Sequence, residues 1–104
     1  MNYFETILLL SPELGASDVE SHISAVKDIM KEHDAEVVNE VSWGKKKLAY
    51  PINNFSSANF HIIRTKGDKS FNEELSTKVR ITDDMIRQMT LNIEESELER
   101  NFEF

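Results

Sequence analysis

The sequence predicts an α+β fold with two layers, a four-stranded antiparallel sheet and two helices on one of its faces. Four short apolar segments have strand character, and two segments repeat apolar residues at helical spacing. Their order along the chain is β-α-β-β-α-β. With right-handed crossovers and one shared core, this order predicts a ferredoxin-like sandwich. That plan hosts many functions, so it does not name one.

The first strand and first helix are predicted within residues 3–34. Residues 3–10 are apolar on both faces, which is typical of a central strand. Ser17-x-x-Glu20 has the pattern of a capping box, so we expect the first helix to begin there. Its apolar residues recur at intervals of four, three and four, which predicts one buried stripe. The stripe comprises Val19, Ile23, Val26 and Met30.

The second strand, from about residue 36, changes register in its middle. Before Gly44 the apolar residues fall at odd positions, as in Val41 and Trp43, and after it they fall at even positions, as in Leu48 and Tyr50. A continuous strand cannot place both sets on one face. One extra residue near Gly44 restores the register, so we predict a β-bulge that bends the strand. The lysines that follow, Lys45, Lys46 and Lys47, then form a cationic outer edge.

The remaining elements follow the same reasoning. Residues 57–66 form the third strand, with Ala58 and Phe60 on one face. Ser70-x-x-Glu73 is a second capping-box pattern, and a short helix with an apolar stripe follows it. Residues 81–84 form a turn and residues 85–93 form the last strand. We expect one domain at 1–95 and an acidic, flexible tail at 96–104.

Composition restricts the function. The net charge of −7 is uneven, because residues 1–40 carry −7, residues 41–93 carry +4 and the remainder carries −4. Overall acidity argues against indiscriminate nucleic-acid binding, whereas a cationic middle permits a local contact. The chain has no Cys, which excludes disulfides and thiolate metal sites and fits a cytoplasmic protein. The run of residues 7–10 is too short for a signal or membrane span.

Catalysis has little support in the residues. His22 and His33 are three helical turns apart, too far to share a metal, and His61 is alone in a strand. Surface or core histidines are the ordinary interpretation of such residues. The sequence lacks a Gly-rich phosphate loop and a nucleophile elbow. We therefore expect no enzyme activity, cofactor, metal or small-molecule substrate, and no membrane association.

RNA binding is better supported, although not by stacking on the third strand. Residues 57–63 lack the Gly and aromatic pair that the common RNA-recognition module needs there. The alternative is phosphate contact by the three lysines, with Arg80 and Arg87 bounding the last strand. Rival interpretations stay open: the lysines protect an exposed edge strand, and the arginines pair with Asp83 and Asp84. Core packing is the rival for Trp43 and Tyr50.

Three segments resemble the bacterial small-subunit ribosomal protein six family. Residues 3–6 read YFET, residues 43–52 read WGKKKLAYPI and residues 80–89 read RITDDMIRQM, in the order that the family has. The resemblance spans about residues 1–93. It implies a ferredoxin-like structural protein that binds the central domain of small-subunit ribosomal RNA together with ribosomal protein eighteen of that subunit.

Matching positions then supply candidate contacts. The RNA-binding candidates are Asn2, Tyr3, Lys45, Lys46, Lys47, Tyr50, Asn53, Arg80 and Arg87. Many members have Arg at the second position, so Asn2 is a departure. Trp43 is a partner-binding candidate, and so are Phe102 and Phe104 of the tail, which the resemblance does not cover. We expect a monomer outside the ribosome, and the alternative function is a protein-interaction module of the same fold that does not bind RNA.

Overall fold

The computed structural model describes residues 2–52 and 54–100. Within these residues the sheet has the strand order β2-β3-β1-β4, and every neighbouring pair is antiparallel. The predicted α+β, ferredoxin-like fold class is confirmed. The elements are β1 (Asn2–Leu10), α1 (Ala16–Glu32), β2 (Ala35–Ile52), β3 (Phe55–Gly67), α2 (Phe71–Ile81), β4 (Met85–Asn92) and a 3₁₀ turn (Glu95–Glu97).

The main core lies between the sheet and the two helices. Phe4 and Leu8 of β1 are buried on this face, beside Met30 of α1 and Phe71 of α2. The rings of Phe4 and Phe71 meet edge to face, with centroids 6.1 Å apart. Such a contact adds to the stabilisation that burial alone provides. The predicted helical stripes are therefore the ones that pack on the sheet.

The helix starts differ from the prediction. Helix α1 begins after Gly15, and Ser17 lies exposed within the first turn. The capping box at Ser17 was wrong: the carbonyl of Gly15 accepts the first backbone hydrogen bonds, and no side chain caps them. Ser70 does stand at the N-cap of α2, but its hydroxyl does not cap the helix. Instead, that hydroxyl oxygen lies 3.0 Å from Nδ1 of His33.

The predicted bulge at Gly44 is confirmed. Ser42 pairs with His61 and Gly44 pairs with Phe60, so Trp43 is the extra residue on β2. Gly44 has φ of 71°, in the left-handed region that glycine adopts at low cost. This is the geometry of a bulge that bends a strand and increases its twist.

The register defines two ends of the sheet. Gly44, Phe60, Leu9 and Arg87 pair in one row across the four strands, near the β2–β3 turn, and we call this the hairpin end. At the opposite end, which we call the far end, Ala35 and Asn2 both pair with Gly67. Helix α1 begins at the hairpin end and runs to the far end, and α2 runs back.

The sheet face away from the helices, here called the open face, carries a second apolar cluster. Leu9, Ala58 and Ile86 are buried there, and Leu48 and Ile52 of β2 pack against them. This cluster lies at the hairpin end. The apolar residues of β2 that follow Gly44 thus contribute to a second, smaller core rather than to the main one.

The described part of the C-terminal segment starts at the far end, where the amide of Ile93 donates to the carbonyl of Tyr3, and lies against the open face. Leu98 is only 7% exposed, and Asn39 donates a side-chain hydrogen bond of 3.4 Å to its carbonyl. Arg64 also donates to the carbonyls of Leu98 and Arg100. The structure thus places residues 95–100 against the sheet, while the flexibility of residues 96–104 stays a prediction. No helix in the described part of the chain is both long and apolar enough to span a bilayer.

Candidate nucleic-acid interface

Three exposed lysines follow the bulge on β2. Lys45, Lys46 and Lys47 pair with Asn59, Ala58 and Ser57 of β3 and are exposed to solvent. Because side chains alternate along a strand, Lys46 shares the open face with Ala58, and Lys45 and Lys47 point to the other face. Among the described residues, no carboxylate forms an ion pair with these lysines. Three ammonium groups are therefore available to a ligand from two directions.

Two arginines lie at the same end of the molecule. Arg87 is exposed on β4, in the row that contains Gly44. Three strand spacings of about 4.8 Å separate the two edge strands, or about 14 Å in total. Arg80 is exposed in the last turn of α2, which also ends at the hairpin end. The fold thus gathers five cations that the sequence separates by up to 42 positions.

The alternative interpretation, in which the arginines pair with neighbouring aspartates, is not observed within the described residues. Neither Arg80 nor Arg87 makes an ion pair with Asp83 or Asp84 there. Asp84 instead lies 3.5 Å from Nε2 of His22 on α1. Both guanidinium groups remain open to solvent, which favours a ligand contact over the internal alternative.

Asn2 and Tyr3 lie apart from this cationic group. They pair with Gly67 and Lys66 at the far end of the sheet. The seven steps along the strand from Tyr3 to Leu10 span about 23 Å, so one compact site cannot include both groups. The structure therefore divides the predicted RNA-binding residues between two ends of the molecule.

Burial, and then the neighbouring Glu95 carboxylate, raise the pKa of the Tyr3 phenol.

The aromatic candidates have different surroundings. Tyr50 is 81% exposed, so the core-packing alternative for this ring is wrong. Trp43 is half-buried as the extra residue of the bulge. Asn53, Phe102 and Phe104 lie outside the described residues. Of the aromatic candidates that are described, Tyr50 is the one displayed to solvent beside the lysines.

One polar cluster at the α1–sheet boundary was not predicted. His61 is buried, and its Nε2 lies 2.9 Å from Oε2 of Glu40. Lys27 of α1 donates to the other oxygen of this carboxylate. Burial raises the pKa of Glu40, but the hydrogen bonds from Lys27 and His61 outweigh it, and the net effect lowers that pKa. The cluster joins α1, β2 and β3, and the sequence signals it only through the inward position of Glu40 in the strand.

Comparison with known proteins identifies the family. The sequence profile described as Ribosomal protein S6 matches residues 3–92. The chain belongs to the ribosomal protein S6 family.

Members of the S6 family match nearly the whole chain. The small ribosomal subunit protein bS6 of Aquifex aeolicus is 30% identical over 102 residues, which cover 97% of this chain and 93% of that protein. The bS6 protein of Synechococcus sp. is 35% identical over 92 residues, or 88% of this chain and 73% of that protein. The crystal structure of 30S ribosomal protein S6 from Thermotoga maritima has the same fold, with a TM-score of 0.81 at 24% identity and coverage of 88% and 87%.

Membership of the S6 family confirms the predicted resemblance. The protein is a structural, non-enzymatic component of the small ribosomal subunit, associated with the ribosome in the cytoplasm. Within the described residues, no group of three or more His, Cys, Asp or Glu side chains is arranged to hold a metal ion.

Proposed function

We propose that the protein binds the central domain of small-subunit ribosomal RNA through its hairpin end. The observation that carries the proposal is the exposure of Lys45, Lys46 and Lys47 on a bulged edge strand, at the same end as two exposed arginines. Ammonium and guanidinium groups on a fixed backbone are suited to phosphate oxygens. They fix the position of the protein on folded RNA more than they read its sequence.

The charge distribution supports a local contact rather than a general one. The chain as a whole carries a net charge of −7, so distant RNA experiences repulsion. The cations of the hairpin end act at short range, where screening by salt is weakest. This arrangement favours binding to an RNA surface that fits the hairpin end over binding to any polyanion.

Asn2 and Tyr3 belong to a second, smaller contact in this proposal. They lie at the far end, where Lys69 is also exposed. Asn2 and Tyr3 offer neutral hydrogen-bonding groups, which contribute less to phosphate binding than a charged side chain does. The hairpin end therefore provides most of the RNA affinity.

We further propose that ribosomal protein eighteen of the small subunit binds beside this surface. A partner that contributes its own cations to the RNA contact explains how an acidic protein holds a polyanion. Trp43 at the bulge, together with Phe102 and Phe104, remains the proposed contact with the partner. The half-buried position of Trp43 supports this role, because such rings combine apolar area with a polar edge.

One observation favours the alternative function, a protein-interaction module without RNA binding. Met89 and Leu91 of β4 are 41% and 42% exposed, so part of the sheet surface is apolar and open. Exposed apolar surface of this kind is typical of protein contacts. It does not account for three exposed lysines at the opposite edge, which is why we place RNA binding first.

A titration against a central-domain RNA fragment, with and without the partner protein, tests the proposal. Two double variants have the same change in charge: Lys45→Glu with Lys47→Glu at the hairpin end, and Lys31→Glu with Lys69→Glu at the far end. We expect the first to weaken RNA binding at least about tenfold and the second to weaken it far less. Equal effects would show that bulk charge, and not the hairpin end, sets the affinity. Circular dichroism checks that both variants fold.

A further inference from the structure

Besides the register shifts after Val37 and after Ser42, the β2–β3 pairing has a third irregularity, close to the turn. Lys47 pairs with Ser57 and Ile52 pairs with Phe55, so the four residues 48–51 of β2 face the single residue Ser56 of β3. None of these four residues has a partner in the ladder, and the register shifts by three residues. Extra residues on one strand must leave the plane of the pairing, so this part of β2 protrudes from the sheet edge.

The protrusion is anchored on both sides. Leu48 and Ile52 pack against the apolar cluster of the open face, while Ala49, Tyr50 and Pro51 are exposed. Pro51 restricts its own φ and also restricts the backbone of the residue before it. Tyr50 thus stands on a short, stiff segment held by two partly buried side chains.

Tyr50 is the most exposed of the large apolar side chains in the described part of the chain, at 81%. Burial of an aromatic ring is strongly favourable, but the Tyr50 ring stays in water when this chain folds, so it contributes little burial free energy to the fold. Three exposed lysines precede the ring by three to five residues on the same strand. An exposed ring beside ammonium groups matches the way single-stranded RNA is held, with bases on aromatic faces and phosphates on cations.

We infer that Tyr50 is a stacking platform for one unpaired RNA base, and that the adjacent lysines hold the phosphates on either side of that base. The inference rests on the proposed function and specifies its ligand: RNA with a looped-out or single-stranded nucleotide, not a continuous duplex. Bases in a duplex are already stacked on their neighbours, so a protein ring reaches only a base that has left the stack. Base–aromatic stacking contributes about 5- to 150-fold in affinity.

Two hairpin RNAs with the same stem test the inference, one fully paired and one with a single bulged 2-aminopurine. This fluorescent base analogue loses emission when it stacks on a ring. We expect the full-length protein to prefer the bulged RNA, and to quench its emission. Tyr50→Ala should weaken binding to the bulged RNA by about tenfold, remove the quenching and leave binding to the paired stem unchanged.

Two further variants separate stacking from other contacts. Tyr50→Phe keeps the ring and should retain both affinity and quenching, whereas Tyr50→Leu keeps apolar area without a ring and should lose both. If Tyr50→Leu binds as well as the wild type, the contact is apolar only and the inference is wrong. The inference is also overturned if Tyr50→Ala binds RNA normally but loses a protein partner.

The failure of the inference and the failure of the proposed function give different results. If the wild-type protein binds neither the hairpins nor a central-domain fragment, RNA binding itself is wrong, and the stacking platform with it. If the wild type binds both hairpins equally and Tyr50→Ala changes neither affinity, only the role of Tyr50 is wrong. Lys45→Glu with Lys47→Glu should weaken both hairpins, because phosphates are present in each.

Discussion

Arg64 and Glu5 form a buried ion pair on the open face of the sheet. Nε of Arg64 donates to Oε1 of Glu5 at 2.8 Å, and the two side chains are 5% and 8% exposed. Neighbouring strands bring them together, since Glu5 of β1 pairs directly with Arg64 of β3. The C-terminal segment completes the enclosure, because the guanidinium also donates to the carbonyls of Leu98 and Arg100.

The ion pair predicts an ordered series of stability losses. Arg64→Met leaves a buried carboxylate without its cation and should reduce the free energy of unfolding by about 3–5 kcal/mol. Glu5→Gln retains a hydrogen-bond acceptor and should cost about 1–3 kcal/mol. Urea unfolding measures both. The exposed surface pair of Lys66 and Glu36 is the control, since Glu36→Gln should cost less than about 1 kcal/mol.

Leu98 tests how firmly the C-terminal segment is held. Its side chain is 7% exposed, so Leu98→Ala should destabilise the protein by about 2 kcal/mol, near the lower limit for a buried leucine. The replacement should also increase amide exchange in residues 94–100 more than in the strands, because local opening exposes this segment first. Stability equal to that of the wild type would mean that the segment leaves the sheet in solution, as the predicted flexible tail requires.

Glu40 makes the free energy of unfolding depend on pH in the acidic range. Its pKa is lowered from 4.5, with the Lys27 and His61 hydrogen bonds offsetting burial, so the folded state favours the carboxylate form. The resulting stabilisation is present above the unfolded pKa and is lost as the pH falls through the lower, folded value. Glu40→Gln should therefore flatten the dependence of unfolding free energy on pH below about pH 5, as followed by urea titrations. A slope identical to that of the wild type would contradict this role.

Gly44 and Gly67 should respond differently to an added methyl group. At Gly44, φ is 71° and a Cβ would meet nothing within 4 Å, so Gly44→Ala should cost about 1–2 kcal/mol from backbone strain alone. At Gly67, φ is 129° and a Cβ would lie 2.3 Å from the carbonyl oxygen of Asp34. Gly67→Ala should therefore be clearly worse. Thermal unfolding gives the order, and Gly44→Asn should recover part of the loss.

The salt dependence of RNA binding reports the number of phosphate contacts. If about five cations contact phosphates, log affinity should fall with log salt concentration with a slope of roughly −3.5 to −4.5. Replacing Lys45, Lys46 and Lys47 by Glu should reduce this slope to about −1 to −2 and leave folding nearly intact. A steep slope that survives the triple replacement would place the phosphate contacts elsewhere on the protein.

Local patterns predicted most of the fold. The change from odd to even apolar positions placed the bulge, because side-chain alternation within a strand leaves only an extra residue as the explanation. Capping boxes were less informative: Ser17 fits the pattern, yet the N-cap of the helix is Gly15. Sequence periodicity indicates which face of an element a residue occupies. The first residue of a helix depends instead on the position at which the preceding loop ends.

The sequence suggested the residues of the candidate site but not their arrangement, and their contact with RNA stays a prediction. The exposed lysines could be read from the sequence, whereas the separation of Asn2 from Lys45 depends on strand register. The pairing of Arg64 with Glu5, 59 positions apart, leaves no local signal in either segment. Tyr50 had the even spacing of an inward residue, and the third register shift, beyond Lys47, places it outside. Long-range pairing decides these features.

The strand order has a consequence for how the protein is made. β1 emerges first during synthesis, yet it lies between β3 and β4, and Thr6 meets Thr90 across the β1–β4 ladder. One edge of the first strand therefore stays open until residues near 90 have left the exit tunnel of the translating ribosome. Contacts this distant along the chain slow folding, since a long loop must close before they form. A nascent chain that stops before β4 exposes the unpaired backbone amides of β1 to other chains. A chaperone that covers strand edges is therefore most useful before β4 has been synthesised.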